Sequence, residues 1–158
     1  MHELKSDFLT PQEFSPIRDY FMGPHIQWYY NPFVDYDGVF SSLDLDDYQF
    51  IHKFTGDEEI LKPLISKINP SKILRIKANC NPRTPKNIPH KFHVDVGEKC
   101  KTSIFYINTN DGWTEFENGA TVESVENTLL TFDSQIKHTG TTCTNQKIRV
   151  LINLNYYA

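Results

Sequence analysis

The sequence predicts a mainly β fold, a double-stranded β-helix (jelly roll, cupin-like), with helices packed on one outer face. Three observations carry this expectation. From Lys72 onward the apolar pattern alternates with period two in eight short runs, separated by Gly, Asn, Asp or Pro turns. Helical spacing of apolar residues is confined to the chain before that point. Finally, 158 residues with 39% hydrophobic and 13% aromatic content suit one domain with one sizeable core and argue against disorder. The expected layout is a single domain over 1–158, with a helical and irregular part over 1–71 and a jelly-roll core over 72–158.

The elements follow in order. Thr10-Pro11-Gln12-Glu13 forms a capping box with proline at the first helical position, and Phe14, Ile17, Tyr20 and Phe21 recur at helical spacing up to Gly23-Pro24. A helix over 11–22 is expected. Residues 25–56, rich in aromatics, Asp and Gly, mix short strand signals with turns and receive no firm assignment. Trp28-Tyr29-Tyr30 within it reads as packing rather than a substrate platform. A second helix is expected near 58–68, with Pro63 either in its first turn or marking its real start. The strands are Lys72–Asn79, Phe92–Val96, Thr102–Asn108, Thr114–Phe116, Ala120–Glu123, Thr128–Asp133, Lys137–Thr141 and Ile148–Tyr156.

Composition narrows the function. No apolar run is long enough to cross a bilayer, and Met1–Asp7 lacks the layout of a signal peptide, so a cytoplasmic protein with no membrane partner is expected. Cys80, Cys100 and Cys143 have no C-x-x-C spacing, which suits a reducing compartment. The net charge of −4 conceals a basic block: residues 60–91 carry 8 basic side chains and no acidic one. It reads either as a solvated face or as a surface for an anionic substrate; no nucleic-acid-binding pattern accompanies it.

The chemistry lies in the phase of polar residues within the strands. In Phe92-His93-Val94-Asp95-Val96 the apolar residues share one face, so His93 and Asp95 share the other. His138 opens a later strand, where a jelly roll returns its chain to the barrel mouth. Two histidines and a carboxylate on one face of a metal leave positions open for non-haem Fe(II) oxygen chemistry. A chance H-x-D is expected roughly 0.4 times in such a composition, so the tripeptide alone decides little. Its company matters more. In Ile148–Tyr156 the even positions are apolar, which puts Arg149, Asn153 and Asn155 on the opposite face, and an inward arginine needs an anion such as a dicarboxylate.

The ordered set Arg75-Ile76-Lys77-Ala78-Asn79, Phe92-His93-Val94-Asp95, Thr102–Asn108, Gly112-Trp113-Thr114-Glu115-Phe116, His138 and Arg149-Val150-Leu151-Ile152-Asn153 resembles the Fe(II)/2-oxoglutarate-dependent dioxygenases. The likeness is to their prolyl 4-hydroxylase-like branch, and to small members from marine bacteria and phages. It implies that His93, Asp95 and His138 bind iron, that Arg149 pairs with the C5 carboxylate of 2-oxoglutarate, and that Tyr106 donates its hydroxyl to the same group. Asn153 and Asn79 fall at pocket-lining positions. The implied cofactors are Fe(II), 2-oxoglutarate and O2; the implied reaction is hydroxylation of a small-molecule or peptide substrate, prolyl residues being the leading expectation. Asp111-Gly112-Trp113-Thr114 replaces the fuller Gly-Gly motif of many relatives, a change expected to touch the local turn and not the metal site.

Each of these residues also has a plainer reading. Arg149 could pair with Asp133 or Glu115; Tyr106 could be ordinary core; Arg75, Lys77 and Asn79 reach either the pocket mouth or solvent. His2, His25, His52 and His90 show no ligand-like pairing. Two rival functions keep the same triad: a non-catalytic cupin-like metal-binding module, and a Zn(II) hydrolase, which would need a general base beside the metal.

Overall fold

The computed structural model describes residues 1–34, 45–54 and 58–158; whatever strand or turn signal falls on 35–44 or 55–57 lies outside them. Among the described residues, ten strands form two antiparallel sheets. The larger has the order β1(His2–Lys5), β8(Thr128–Asp133), β5(Lys101–Tyr106), β10(Ile148–Tyr157), β4(Lys72–Pro82), β3(Gln49–Phe54), β2(Tyr29–Asn31). The smaller has β7(Thr121–Glu123), β6(Trp113–Phe116) and β9(His138–Gly140). Two facing antiparallel sheets with helices outside are the expected jelly roll. No helix among the described residues is long and apolar enough to cross a membrane.

The alternation of β10 sorts the two cores. Val150, Ile152, Leu154 and Tyr156 join Ile76, Ala78 and Cys80 of β4 in an apolar layer beneath the helices. Leu151 faces the opposite way, packing with Ile104, Tyr106 and Phe132 against Phe116 and Val122 of the smaller sheet. Helix α1(Pro11–Met22) buries Phe14, Ile17 and Phe21 in the first layer, and its capping box forms as the sequence requires: Thr10 Oγ1 accepts from Glu13 N at 3.3 Å while Glu13 Oε2 accepts from Thr10 N at 2.9 Å. The second helix starts at Lys62, immediately before Pro63, which is the later of the two expected starts. A 3-10 turn over Glu59–Leu61 precedes α2(Lys62–Ile68), because Pro63 supplies the preset φ but no N–H; Asn69 closes it in the left-handed region at φ 54°.

Three differences from the expected elements have physical reasons. Strand β1 carries no alternation because all four of its residues are exposed along the sheet edge, so nothing in HELK signals a buried face. The expected strand Phe92–Val96 is a single bridge at His93, and Phe92 and Val94 are 42% and 38% exposed rather than core. Of Trp28-Tyr29-Tyr30, only Trp28 packs on the core; Tyr29 and Tyr30 lie exposed on the edge strand.

All three cysteines are free and buried. Burial, with Cys143 nearby, pushes the Cys80 thiol up from 9.0 to about 12. The thiol form therefore favours the fold, and its contribution is complete below about pH 9 and is lost as pH rises toward 12. Stability should fall by up to about 1.4 kcal/mol per pH unit in that window. Denaturant melts at pH 8.5 and 10.5 check this, with a Cys80→Ala variant expected to flatten the difference.

Candidate active site

The cavity between the sheets opens where β10, β4 and β9 meet, with about 460 Å³ of empty space including its mouth. His93 and His138 face each other across a reciprocal backbone pair: His93 N donates to His138 O and His138 N to His93 O, both at 3.0 Å. Each ring is then oriented from behind. His93 Nδ1 lies 3.0 Å from Lys91 O and His138 Nδ1 lies 3.3 Å from Ile136 O, so Nδ1 carries the proton and Nε2 presents a lone pair inward. The chain bends just after the bridge and returns Asp95 to the same side. Its side chain is 4% exposed, with Oδ2 3.4 Å from His138 Nε2 and Oδ1 3.9 Å from His93 Nε2.

These three donors lie within 4.8 Å of one another, and no other such group occurs among the described residues. Donors bound at about 2.1 Å around one cation sit about 3.0–3.4 Å apart, so the cluster closes by a small approach of its members. Neutral imidazoles and one buried carboxylate suit a divalent transition metal. Burial alone would raise the Asp95 carboxyl; a proton on His138 Nε2, whose place a bound cation would take, the Arg75 guanidinium and the Asn153 amide outweigh it and hold the group well below the usual carboxylate range.

Arg149 lies deeper in the same cavity, 1% exposed. Its Nε donates to Ser124 Oγ at 2.8 Å, its Nη2 to Thr114 Oγ1 at 3.4 Å, and its head lies 5.9 Å from the Tyr106 ring centre. Among the described residues no carboxylate pairs with it; neither Asp133 nor Glu115 does. A buried guanidinium served only by hydroxyls and a π face is an incomplete anion site. Burial correspondingly lowers its pKa.

Tyr106 is fully buried and donates to Thr114 Oγ1 at 2.8 Å, so Thr114, not Tyr106, lines the cavity wall. Asn153 and Asn79 both line it. Asn153 Nδ2 donates to Asp95 Oδ2 at 2.8 Å, and the Oδ1 atoms of both asparagines are buried without a partner. Lys77 and His90, left open or set aside on the sequence, also line the cavity. The rest of the basic block disperses: Lys62 pairs with Glu59, Arg83 Nε donates to Thr144 O at 2.6 Å, and Arg75 pairs with Asp95.

Thr114 and Ser124 carried no sequence signal, since a hydroxyl acquires this role only when a distant strand brings a guanidinium to it. Gly112 belongs to the site as well, through Arg149 rather than through the metal cluster. A Cβ there would lie 2.6 Å from Arg149 Cδ and 2.9 Å from Nε, and one at Gly140 would lie 3.1 Å from Nη1. Gly112→Ala should therefore displace Arg149 and weaken binding of a carboxylate ligand such as the 2-oxoglutarate that the resemblance implies by more than about 10-fold, given the geometric demand of a bidentate grip. Isothermal titration in the presence of Mn(II) measures it, with metal affinity expected to stay within about 3-fold, as for an uncoupled site.

No family model matches the chain, and no curated protein sequence matches it. Solved structures do. A prolyl hydroxylase from Trichoplax adhaerens, in complex with a hypoxia inducible factor peptide fragment, is 15% identical with a TM-score of 0.71, over 99% of this chain and 83% of that one. A Pseudomonas putida prolyl-4-hydroxylase is 12% identical with a TM-score of 0.66, over 99% and 92%. The non-heme alpha ketoglutarate dependent epimerase SnoN from nogalamycin biosynthesis is 10% identical with a TM-score of 0.70, over 99% and 76%. The fold is that of the 2-oxoglutarate-Fe(II) oxygenases. Within it, His93, Asp95 and His138 form a His-Asp-His cluster able to hold a metal ion.

Proposed function

We propose that residues 1–158 act as one Fe(II)- and 2-oxoglutarate-dependent oxygenase domain that hydroxylates its substrate, with His93, Asp95 and His138 holding the iron. The observation that carries this reading is the pairing, in one cavity, of a three-donor cluster with a buried arginine that lacks a carboxylate partner. Either feature alone fits many proteins; together they fit a metal-chelating dicarboxylate. When bound, the iron supplies the oxidation: O2 and 2-oxoglutarate become succinate and CO2, and one oxygen atom enters a substrate C–H bond.

The chain's own residues bind, aim and shield. Arg149 receives the C5 carboxylate on its guanidinium, and Thr114, accepting the Tyr106 proton, turns its own hydroxyl proton toward the same group, so that Tyr106 acts through Thr114. Backbone carbonyls of Lys91 and Ile136 hold the Nδ1 protons and keep both Nε2 atoms available. Ile104 and Leu151 keep the floor of the cavity apolar. Among the described lining residues Asp95 is the one carboxylate, so a Zn(II) hydrolase would have to draw its general base from His90.

A prolyl residue in a peptide is the leading substrate, because two of the structures named above are prolyl hydroxylases. The deciding experiment measures succinate formed from 2-oxoglutarate with Fe(II) and O2, each omitted in turn, alone and against a proline-containing peptide library. Turnover that requires all three supports the reading, and peptide stimulation supports the substrate. Bound Mn(II) with no succinate under any condition would instead establish the non-catalytic binding module.

A further inference from the structure

We propose that Arg75 is a positioning residue for the metal-binding carboxylate, aimed at Asp95 by a relay through Asn155 and Thr102. The inference rests on the assignment of His93, Asp95 and His138 as the iron site.

Arg75 stands on β4 opposite Asn155 of β10, where the register slips: Asn155 pairs with Arg75 but Tyr156 pairs with Ile73, leaving Leu74 as an extra residue. Such a bulge re-aims the side chains beside it. The guanidinium is anchored from behind, since Arg75 Nε donates to Asn155 Oδ1 at 3.0 Å and Asn155 Nδ2 donates to Thr102 Oγ1 at 2.9 Å, with Asn155 and Thr102 both fully buried. That anchoring leaves Nη2 2.9 Å from Asp95 Oδ1.

The contact is an ion pair without hydrogen-bond alignment. It offsets the buried negative charge yet leaves an Oδ1 lone pair for a cation. Asn153 holds the other oxygen at 2.8 Å. The carboxylate is thus fixed at both oxygens before a metal arrives. Arginine suits this place because Nε and Nη2 engage two partners at once in one rigid plane, whereas a lysine carries a single point charge on a flexible stem.

Mn(II) titration of the full chain, followed by loss of the free-ion electron paramagnetic resonance signal, tests the role without turnover. Arg75→Met should weaken Mn(II) binding about 10- to 100-fold, the usual cost of removing an outer partner of a metal ligand. Arg75→Lys should recover only part of it, and Asn155→Ala, with Arg75 intact, should shift affinity the same way. Far-ultraviolet circular dichroism should be unchanged; should Arg75→Met fail to fold, the lysine and Asn155 variants decide. Wild-type affinity in these variants, or tighter binding from simple relief of charge repulsion, overturns the role of Arg75 alone. A wild-type chain that binds no Mn(II) overturns the iron site and this inference together.

Discussion

Asp95→Ala is expected to abolish divalent-metal binding and, with it, the proposed succinate formation. Asp95 is the one anionic member of the cluster, so its removal leaves two imidazoles alone to hold the cation. The loss should exceed about 100-fold in Mn(II) affinity, beyond what outer-shell changes produce. The fold should survive, because the partner that loses its counter-ion, Arg75, is 30% exposed and can turn to solvent. Equilibrium dialysis with Mn(II), alongside circular dichroism, reads both quantities. Metal affinity equal to that of the unmodified protein would remove Asp95 from the ligand set. Asp95→Asn sharpens the comparison, since it keeps the shape and the contact with Asn153 while removing the charge.

Arg149→Ala is expected to raise the 2-oxoglutarate requirement of the proposed reaction by roughly 30- to 4,000-fold and to leave metal affinity within about 3-fold. The size follows from the cost of truncating one partner of a buried, hydrogen-bonded charge pair, about 2–5 kcal/mol, at about 1.4 kcal/mol per factor of ten. The separation from metal binding follows from position: Arg149 is held by Ser124 and Thr114, which touch none of the three metal donors. Thermal unfolding with Mn(II) and N-oxalylglycine, a stable mimic of the cosubstrate, provides a second readout. The unmodified protein should gain stability as ligand rises above its dissociation constant, and the variant should not at the same concentrations. Equal loss of metal and cosubstrate affinity would assign Arg149 to folding instead.

The parts of the fold that were legible in the sequence are those whose signal is local. Helix α1 announces itself by a capping box and by Phe14, Ile17 and Phe21 at helical spacing, all within one short segment. Strand β10 does so by strict alternation, because one of its faces packs on the helices and the other lines the cavity. The edge strands β1 and β2 escaped for the opposite reason: partly or wholly exposed, they bury no regular face. The segment 92–96 shows a right conclusion reached through a wrong premise. His93 and Asp95 do share a side, yet Phe92 and Val94 cover no core; a single bridge to His138 and the bend that follows place the two side chains.

By itself, then, the order of residues determined the strand-rich class, the inward face of the last strand, and the candidate donors His93, Asp95, His138 and Arg149. Period two and residue chemistry suffice for that, since both are written within a few positions. Tertiary structure alone decided what those side chains meet: Thr114 and Ser124 on Arg149, Gly112 beneath its stem, Thr114 between Tyr106 and the cavity, and Arg75 behind Asp95. Each such meeting joins residues from different segments of the chain, some on strands and some on the loops beside them. Their proximity follows from sheet register and from one bulge at Asn155, which no local pattern encodes.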